Sequence, residues 1–463
     1  MDRLLDRLAR LPEDGLDPRI YPIPPRERAL TDPAGYRHAL HQATQLVMQD
    51  LLAGRVRAMP HRPDLRREQV AADRWLAELA STPDPAALLD RAAMLPEGMA
   101  ELKAELARAR AIAAAARPEP IPGESTIEPG SHDPVRIPRL RARLAAEDAL
   151  LASAPDGGAR YDAALEAAVR RWQQANGLEV DGRVGRISLG FLNRPLSARV
   201  DQLCAAIDMR RARAPEGAER RIDVNLPDYR LRVTEAGRDL LTMPVIVGRP
   251  DRATPILRVR MTSIQFNPPW GVPERNARED LLPRFRRDPQ GMMERGFRVF
   301  QFVGGERVEV DPRSINWASY HRDRFPFIIR QDAGEANALG RIKFTMPNGD
   351  DIFMHDTPDR HLFRRPDRAF SSGCIRLAQP SELMALLLEG QPGWDLARAQ
   401  AAIDARTTSS VVLRRPLPTL LRYETVTVEG GRVRIRPDIF GLDAAYARAL
   451  VEPVRQLLAE ARR

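Results

Sequence analysis

The sequence predicts a multidomain α+β protein, and three observations carry that expectation. Its 463 residues are too many for one ordinary domain and suggest about two to four. Apolar residues recur at helical spacing in the first part of the chain, whereas beyond Arg221 they alternate with the period of two that strands require. Between the two textures lie stretches dense in proline and glycine, the residues that end regular structure.

Residues 1–132 read as a helical scaffold that ends in a linker. Leu4, Leu5, Leu8 and Leu11 fall on one helical face, as do Ala43, Leu46, Val47, Leu51 and Leu52. Pro22–Pro25 and Pro83–Pro85 separate short helices, and residues 100–117, rich in Ala, Leu and Glu, predict a longer one. Six prolines between Pro118 and Pro138 mark a linker. Residues 133–197 read as a small three-helix unit in which Gly177, Gly182 and Gly185 punctuate the turns and Asp181-Gly182 is a turn pair. A connecting helix follows over 198–220. Cys204 lies there in an apolar stretch (Val200, Leu203, Ala206, Ile207), where a buried structural thiol is expected.

A β-rich domain is expected over 221–440. Ile222, Val224 and Leu226, then Leu231 and Val233, then Met243, Val245 and Val247 mark its first strands. Further strand signals fall at 256–266, 298–310, 342–346, 351–355, 409–413, 424–428 and 432–436. Apart from 298–310, residues 276–337 are charged and weakly patterned, which in a compact domain suggests a functional insertion. Residues 441–463 read as a closing helix.

Composition narrows the function. An apolar fraction of 43% supports sizeable cores. The net charge of +9 is almost entirely arginine, with lysine only at Lys103 and Lys343. The arginines are interspersed with acids rather than gathered with aromatics in a stripe, so no nucleic-acid partner is expected. A basic surface does favour approach to an anionic polymer. Two cysteines far apart make no disulfide framework. No H-x-x-x-H or C-x-x-C spacing suggests a metal, and no segment reaches the ~18 apolar residues of a membrane span. The charged start, MDRLLDRLARLPEDG, lacks a secretory core.

Chemistry concentrates in residues 352–377. Cys374 follows Ser371-Ser372-Gly373 and precedes Ile375-Arg376, and His355 stands nineteen positions upstream at the end of an apolar run. A thiol attacks as thiolate, and a neighbouring imidazole, guanidinium or helix N-terminus lowers its pKa. The segment reads as supplying all three, with Ile375, Leu377, Leu383, Leu386 and Leu387 as an apolar periodic stretch after the turn. The thiol–imidazole pair is expected within hydrogen-bond reach.

His355-Asp356-Thr357-Pro358 followed by Ser371-x-Gly373-Cys374-x-Arg376 resembles the signature of the L,D-transpeptidases, whose catalytic domain is of YkuD type, in the large YcbB-like Gram-negative subgroup. Residues 266–273 (FNPPWGVP), 337–344 (NALGRIKF) and 364–376 resemble further blocks of that subgroup, and residues 15–21 and 50–56 its helical scaffold. Residues 161–193 resemble the peptidoglycan-binding helical module, with Trp172 in place of the more usual Phe. That module would bind glycan or stem peptide, or serve as a spacer.

The resemblance implies a β-rich YkuD-like catalytic domain with a lid inserted at about 276–337. It makes Cys374 the nucleophile, His355 the base, and the N–H groups around Gly373 and Cys374 the oxyanion donors, with Ser371 and Ser372 as auxiliaries. Ser372 stands where many relatives carry a second histidine. Arg376 would hold the loop or meet the donor's carboxylate. Trp270 would be a packing anchor or cleft wall, and Trp317 and Tyr320 lid contacts to substrate. His361 reads as surface, and Asp356 as a support for the turn into Thr357-Pro358.

The implied reaction cuts a tetrapeptide stem at its terminal L,D bond, releases D-Ala and passes the acyl group to an amine of a neighbouring stem. It needs no metal or organic cofactor. Peptidoglycan stem peptides would be the partner, the chain a monomer, and the location the periplasm, with a signal or anchor removed. Two alternatives stand: an L,D-carboxypeptidase, with water as acceptor, and a non-catalytic wall-binding scaffold.

Overall fold

The computed structural model describes residues 2–56, 72–212 and 217–460. The chain forms two compact units, one of residues 217–423 and one of residues 1–216 with 424–463. Parts of two expectations, the scaffold at 57–71 and the connecting helix at 213–216, lie outside the described residues.

In the mainly helical unit, the helices Asp2–Ala9, Pro33–Ala53 and Pro85–Ala93 bury Leu8, Tyr36, Val47, Leu51 and Leu89 in one core. Asp32 and Asp84 cap two of them by accepting the Gly35 and Ala87 amides, each with proline at the first helical position. A second core joins the helices Met99–Ala115 and Ser197–Arg211 to a hairpin, Val426–Glu429 with Arg432–Ile435. The strands expected at 424–428 and 432–436 therefore exist but leave the β-rich unit, because Val426 and Ile435 bury against Leu102, Leu106 and Leu203. Cys204 is half-buried against this core.

The small module is built on Arg136–Ala145, Ala163–Ala175 and Arg186–Leu192, with a single helical turn at Ala149–Ala152. Its proline-rich approach is not a free linker. Ile121 and Ile127 are buried in the module's core. Ile127 and Val184 exchange backbone hydrogen bonds of 3.1 and 3.0 Å, and Asn193 brackets both backbone groups of Ile121 at 2.8 and 2.9 Å. Each proline removes only its own N–H, so the residues between them remain free to pair.

The β-rich unit is a nine-stranded sheet. In chain order its strands are β1 (Arg221–Asn225), β2 (Arg230–Glu235), β3 (Arg238–Gly248) and β4 (Leu257–Phe266). A second, four-stranded sheet comprises β5 (Trp270–Gly271), β6 (Phe297–Val303), β7 (Glu306–Val310) and β8 (Ile328–Gln331). The main sheet resumes with β9 (Ile342–Thr345), β10 (Met354–His355), β11 (Ala369–Ser371), β12 (Ile375–Leu377) and β13 (Ser409–Arg422). Its spatial order is β11-β3-β12-β10-β9-β4-β13-β1-β2, and a further β2–β3 pairing closes the sheet on itself. Alternate residues (Val224, Val233, Val245, Ile264, Phe344, Met354, Ile375) are buried, as period-2 side-chain direction requires.

The weakly patterned insertion, expected as a lid, is an ordered subdomain. Phe285 stacks on Trp317 at 4.5 Å, and Phe297, Phe325 and Phe327 complete an aromatic core beside the four-stranded sheet. Those residues come from separate short elements, so no periodicity betrays them. One expectation is corrected here: the residues after Cys374 form strand β12, and the helix starts only at Pro380 (Pro380–Leu388). No helix N-terminus adjoins the thiol.

Asn267 locks the end of β4. It adopts φ +46°, accepts from Arg341 Nε at 2.8 Å, and donates to the carbonyls of Ala402, Ile403 and Thr407 at 2.9, 3.1 and 3.1 Å. Truncation would strand these buried groups. Asn267→Ala is expected to cost about 2–3 kcal/mol, read as a lower urea midpoint at unchanged m-value; a shift within error would show that water replaces the amide.

Candidate active site

Strand register assembles the site. His355 pairs with Lys343 on β9 and with Arg376 on β12, so these three side chains stand in a row on one face of the sheet. Cys374 precedes Arg376 by two residues and shares that face. Ile375 N–H binds the Phe353 carbonyl at 3.1 Å, which sets Cys374 diagonally across from His355. Diagonal neighbours are about 7–8 Å apart, within reach of extended side chains.

A cavity of about 980 Å³ opens here, lined by Cys374, His355, Lys343, Arg376, Ser371, Ser372, Gly373, Asp351, Phe353, Leu339, Trp270 and Arg252 among others. Trp270 is thus a cleft wall and also packs edge-on against Phe297. Trp317 and Tyr320 are not in the lining. Trp317 is buried, with its indole N–H bonded to the Pro312 carbonyl at 2.7 Å, and Tyr320 packs against Phe327 at 4.9 Å. Both pack into the insertion's core. His361 is exposed outside the cavity.

The nucleophile turn is held by its own serine. Ser371 Oγ donates to the Cys374 carbonyl at 2.5 Å and accepts the Gly373 N–H at 3.1 Å. Gly373 has φ +117°, a conformation that favours glycine, and a Cβ there would meet Ile352 at 3.1 Å. The Gly373 amide is therefore committed. The Cys374 amide has no partner among the described residues and remains the available donor.

Two residues that sequence reasoning missed support the turn from behind. Thr254 Oγ1 donates to the Gly373 carbonyl at 2.7 Å while accepting the Gly248 amide at 2.8 Å. The buried Arg252 donates to Ser372 Oγ at 2.8 Å and Asp280 at 2.5 Å, and also pairs with Glu279. Arg252 thereby ties the insertion to the residue two before the thiol. No local pattern in the sequence could reveal this contact, which spans 120 positions.

His355 is 4% exposed. Its Nδ1 lies 2.5 Å from the Asp356 carbonyl, which makes Nδ1 the protonated nitrogen and leaves Nε2 to accept. Asp356 orients the imidazole through its backbone, while its carboxylate accepts the Arg341 amide at 3.0 Å and pairs with Arg360 at 3.2 Å. Burial, with Arg376 and Lys343 on either side, pushes the His355 pKa down to about 3. Burial likewise pushes the Cys374 thiol up to about 11, against the pull of the Phe353 N–H, Lys343 and Arg376.

In both shifts desolvation outweighs the neighbouring groups that favour ionisation, which holds the imidazole and the half-buried thiol toward their neutral forms. Sγ donates to the Asp351 carbonyl at 3.9 Å, and no Cys374–His355 hydrogen bond forms among the described residues. Among the same residues, no group of three or more His, Cys, Asp or Glu side chains could hold a metal ion.

Residues 219–394 match the family model for YkuD, the L,D-transpeptidase catalytic domain. The chain carries a YkuD-type L,D-transpeptidase domain. Residues 136–192 match a second model, "Putative peptidoglycan binding domain", so the small module is a peptidoglycan-binding domain by family. A "Putative L,D-transpeptidase" of Haemophilus influenzae is 38% identical over 238 residues, 51% of this chain and 47% of that protein. The chain spans about half the length of that curated relative. A crystal structure of an L,D-transpeptidase from Xylanimonas cellulosilytica is 14% identical and aligns with 66% of this chain and 100% of its own, at a TM-score of 0.19.

Two outcomes are expected of this transpeptidase domain. Because burial pushes the thiol up to about 11, the rate of Cys374 alkylation by iodoacetamide should climb about tenfold per pH unit between pH 7 and 10, following the thiolate fraction. A plateau already reached at neutral pH would mean a preformed thiolate. Arg252→Met releases Ser372 from Asp280, and should slow acylation of Cys374 about 100-fold while leaving the far-ultraviolet circular dichroism unchanged.

Proposed function

We propose that the protein is a peptidoglycan L,D-transpeptidase in which Cys374 is the nucleophile and His355 the base. The observation that carries this reading is the register of β10 and β12, which sets thiol and imidazole on one sheet face at the wall of one cavity. Cys374 Sγ, rotating away from the Asp351 carbonyl, attacks the carbonyl carbon of the terminal L,D bond of a tetrapeptide stem. Nε2 of His355 takes the thiol proton in the same step, so thiolate need not accumulate. The Cys374 N–H faces the oxyanion, with Ser371 and Gly373 fixing its direction.

Collapse of the tetrahedral intermediate breaks the C–N bond, and the imidazolium returns its proton to the departing D-Ala amine. A thioester remains on Cys374. An acceptor amine, such as that of a diaminopimelate residue on a neighbouring stem, then attacks; His355 accepts its proton and the thiol is regenerated. Arg376, held by Asp359 at 3.3 Å, fits loop support better than carboxylate capture. The family is a cell-wall one, and the proposed location is the periplasm, where the peptidoglycan-binding domain holds the enzyme against its polymer. No helix among the described residues is long and apolar enough to cross a membrane.

Incubation with a disaccharide-tetrapeptide should release D-Ala and add the acyl mass to Cys374, seen by intact-protein mass spectrometry and peptide mapping. Added acceptor amine should convert the adduct into a crosslinked peptide; release by water alone would make the enzyme an L,D-carboxypeptidase. A carbapenem should acylate the same sulfur. Cys374→Ala should abolish the adducts, and His355→Ala should slow acylation about 10²–10⁴-fold. Undiminished D-Ala release by Cys374→Ala would overturn the assignment.

A further inference from the structure

Four cations line the cavity: Arg252, Arg275, Lys343 and Arg376. Three have carboxylate partners. Arg252 pairs with Glu279 and Asp280, Arg275 with Glu279 at 3.2 Å, and Arg376 with Asp359 at 3.3 Å. The Lys343 ammonium makes no ion pair or hydrogen bond among the described residues; its Nζ rests 4.0 Å from the centre of the Phe353 ring. The nearby Asp351 carboxylate acts on it only through space.

The composition sharpens the contrast. Lysine occupies two of the 72 basic positions, and the other, Lys103, is bonded at 2.7 Å to the fully buried carboxylate of Asp14. A half-buried ammonium without a carboxylate gives up hydration for little return, and burial lowers its pKa accordingly. The strand pairing points it into the cavity beside His355 and diagonally removed from Cys374. A cation left unpaired at the wall of a cleft is complementary to an anion the cleft receives.

We propose that Lys343 is the anion-recognising residue of this cavity and that it takes the free carboxylate of the residue leaving from the scissile bond. This rests on the reading of Cys374 as the nucleophile. The donor class it selects is a peptide whose C-terminal carboxylate lies one residue beyond the attacked carbonyl. The carboxylate would replace the missing counter-ion and offset the repulsion between Lys343 and the imidazolium that forms on His355. Anionic substrate would therefore assist its own proton transfer.

The test uses two alkylating reagents of nearly equal size, iodoacetate and iodoacetamide, on the full chain, with Cys374 modification followed by peptide mapping. Their rate ratio cancels any change in thiolate fraction. In Lys343→Met the iodoacetate-to-iodoacetamide ratio should fall about tenfold, and Lys343→Arg should restore most of it. A ratio unchanged in Lys343→Met would overturn the proposal. If Lys343→Met does not fold, as judged by circular dichroism, Lys343→Gln serves in its place. In parallel, the wild-type protein should accept a tetrapeptide donor with a free C-terminus at least tenfold better in kcat/KM than its C-terminal amide, and Lys343→Met should erase that preference. Equal use of the two donors by the wild type would also overturn the proposal. If neither donor acylates Cys374, the transpeptidase reading fails, while the alkylation ratio still decides whether Lys343 recognises anions.

Discussion

The pairing of β10 with β12 is the constraint from which the site follows. Met354 lies beside Ile375, and His355 beside Arg376. A slip of one residue would turn His355 into the apolar side of the sheet and exchange it for Met354. The pairing is held by what surrounds it: Met354, Ile375 and Phe344 are fully buried on one face, and β9 and β3 fix the flanks. Two residues of strand and three of strand thus suffice to position base and nucleophile, because the sheet on either side leaves them no alternative register.

The same geometry explains why the pair rests uncharged. An imidazolium at this position would lose its hydration and face Lys343 and Arg376 at once. A thiolate would gain from those cations but lose more by burial. Proton transfer is then coupled to attack rather than completed beforehand, which places the burden on positioning. The polar scaffold around the turn fits that demand: Ser371 and Thr254 fix its peptides, and Arg252 joins it to the inserted subdomain.

Much of the site was legible in the sequence because its groups lie in one short segment. His355, Cys374, Gly373 and Ser371 fall within twenty residues, and the alternation of apolar residues announced the strands that carry them. What was not legible depends on distance in the chain. Arg252 meets Ser372 across 120 positions, and the insertion's aromatic core gathers Phe285, Phe297, Trp317 and Phe327 from unpatterned stretches. Trp317 and Tyr320 belong to that core. The strand after Cys374 was obscured because Ile375 and Leu377 continue into a truly helical apolar run, Leu383 to Leu388. The partial burial of the thiol was equally hidden, since local sequence shows the cations near it but not the loss of water. The sequence does set Lys343 apart, as the single lysine of a β-rich stretch otherwise supplied only with arginine.

The central claim is that His355 stays a neutral imidazole, protonated on Nδ1, beside a neutral Cys374. Nitrogen-15 chemical shifts of the imidazole in the resting wild-type protein at neutral pH, assigned by their loss in His355→Ala, report this state directly. One protonated and one bare ring nitrogen is the expected result, with the bare position on Nε2. Two protonated nitrogens would contradict the claim and make the resting pair a thiolate and an imidazolium.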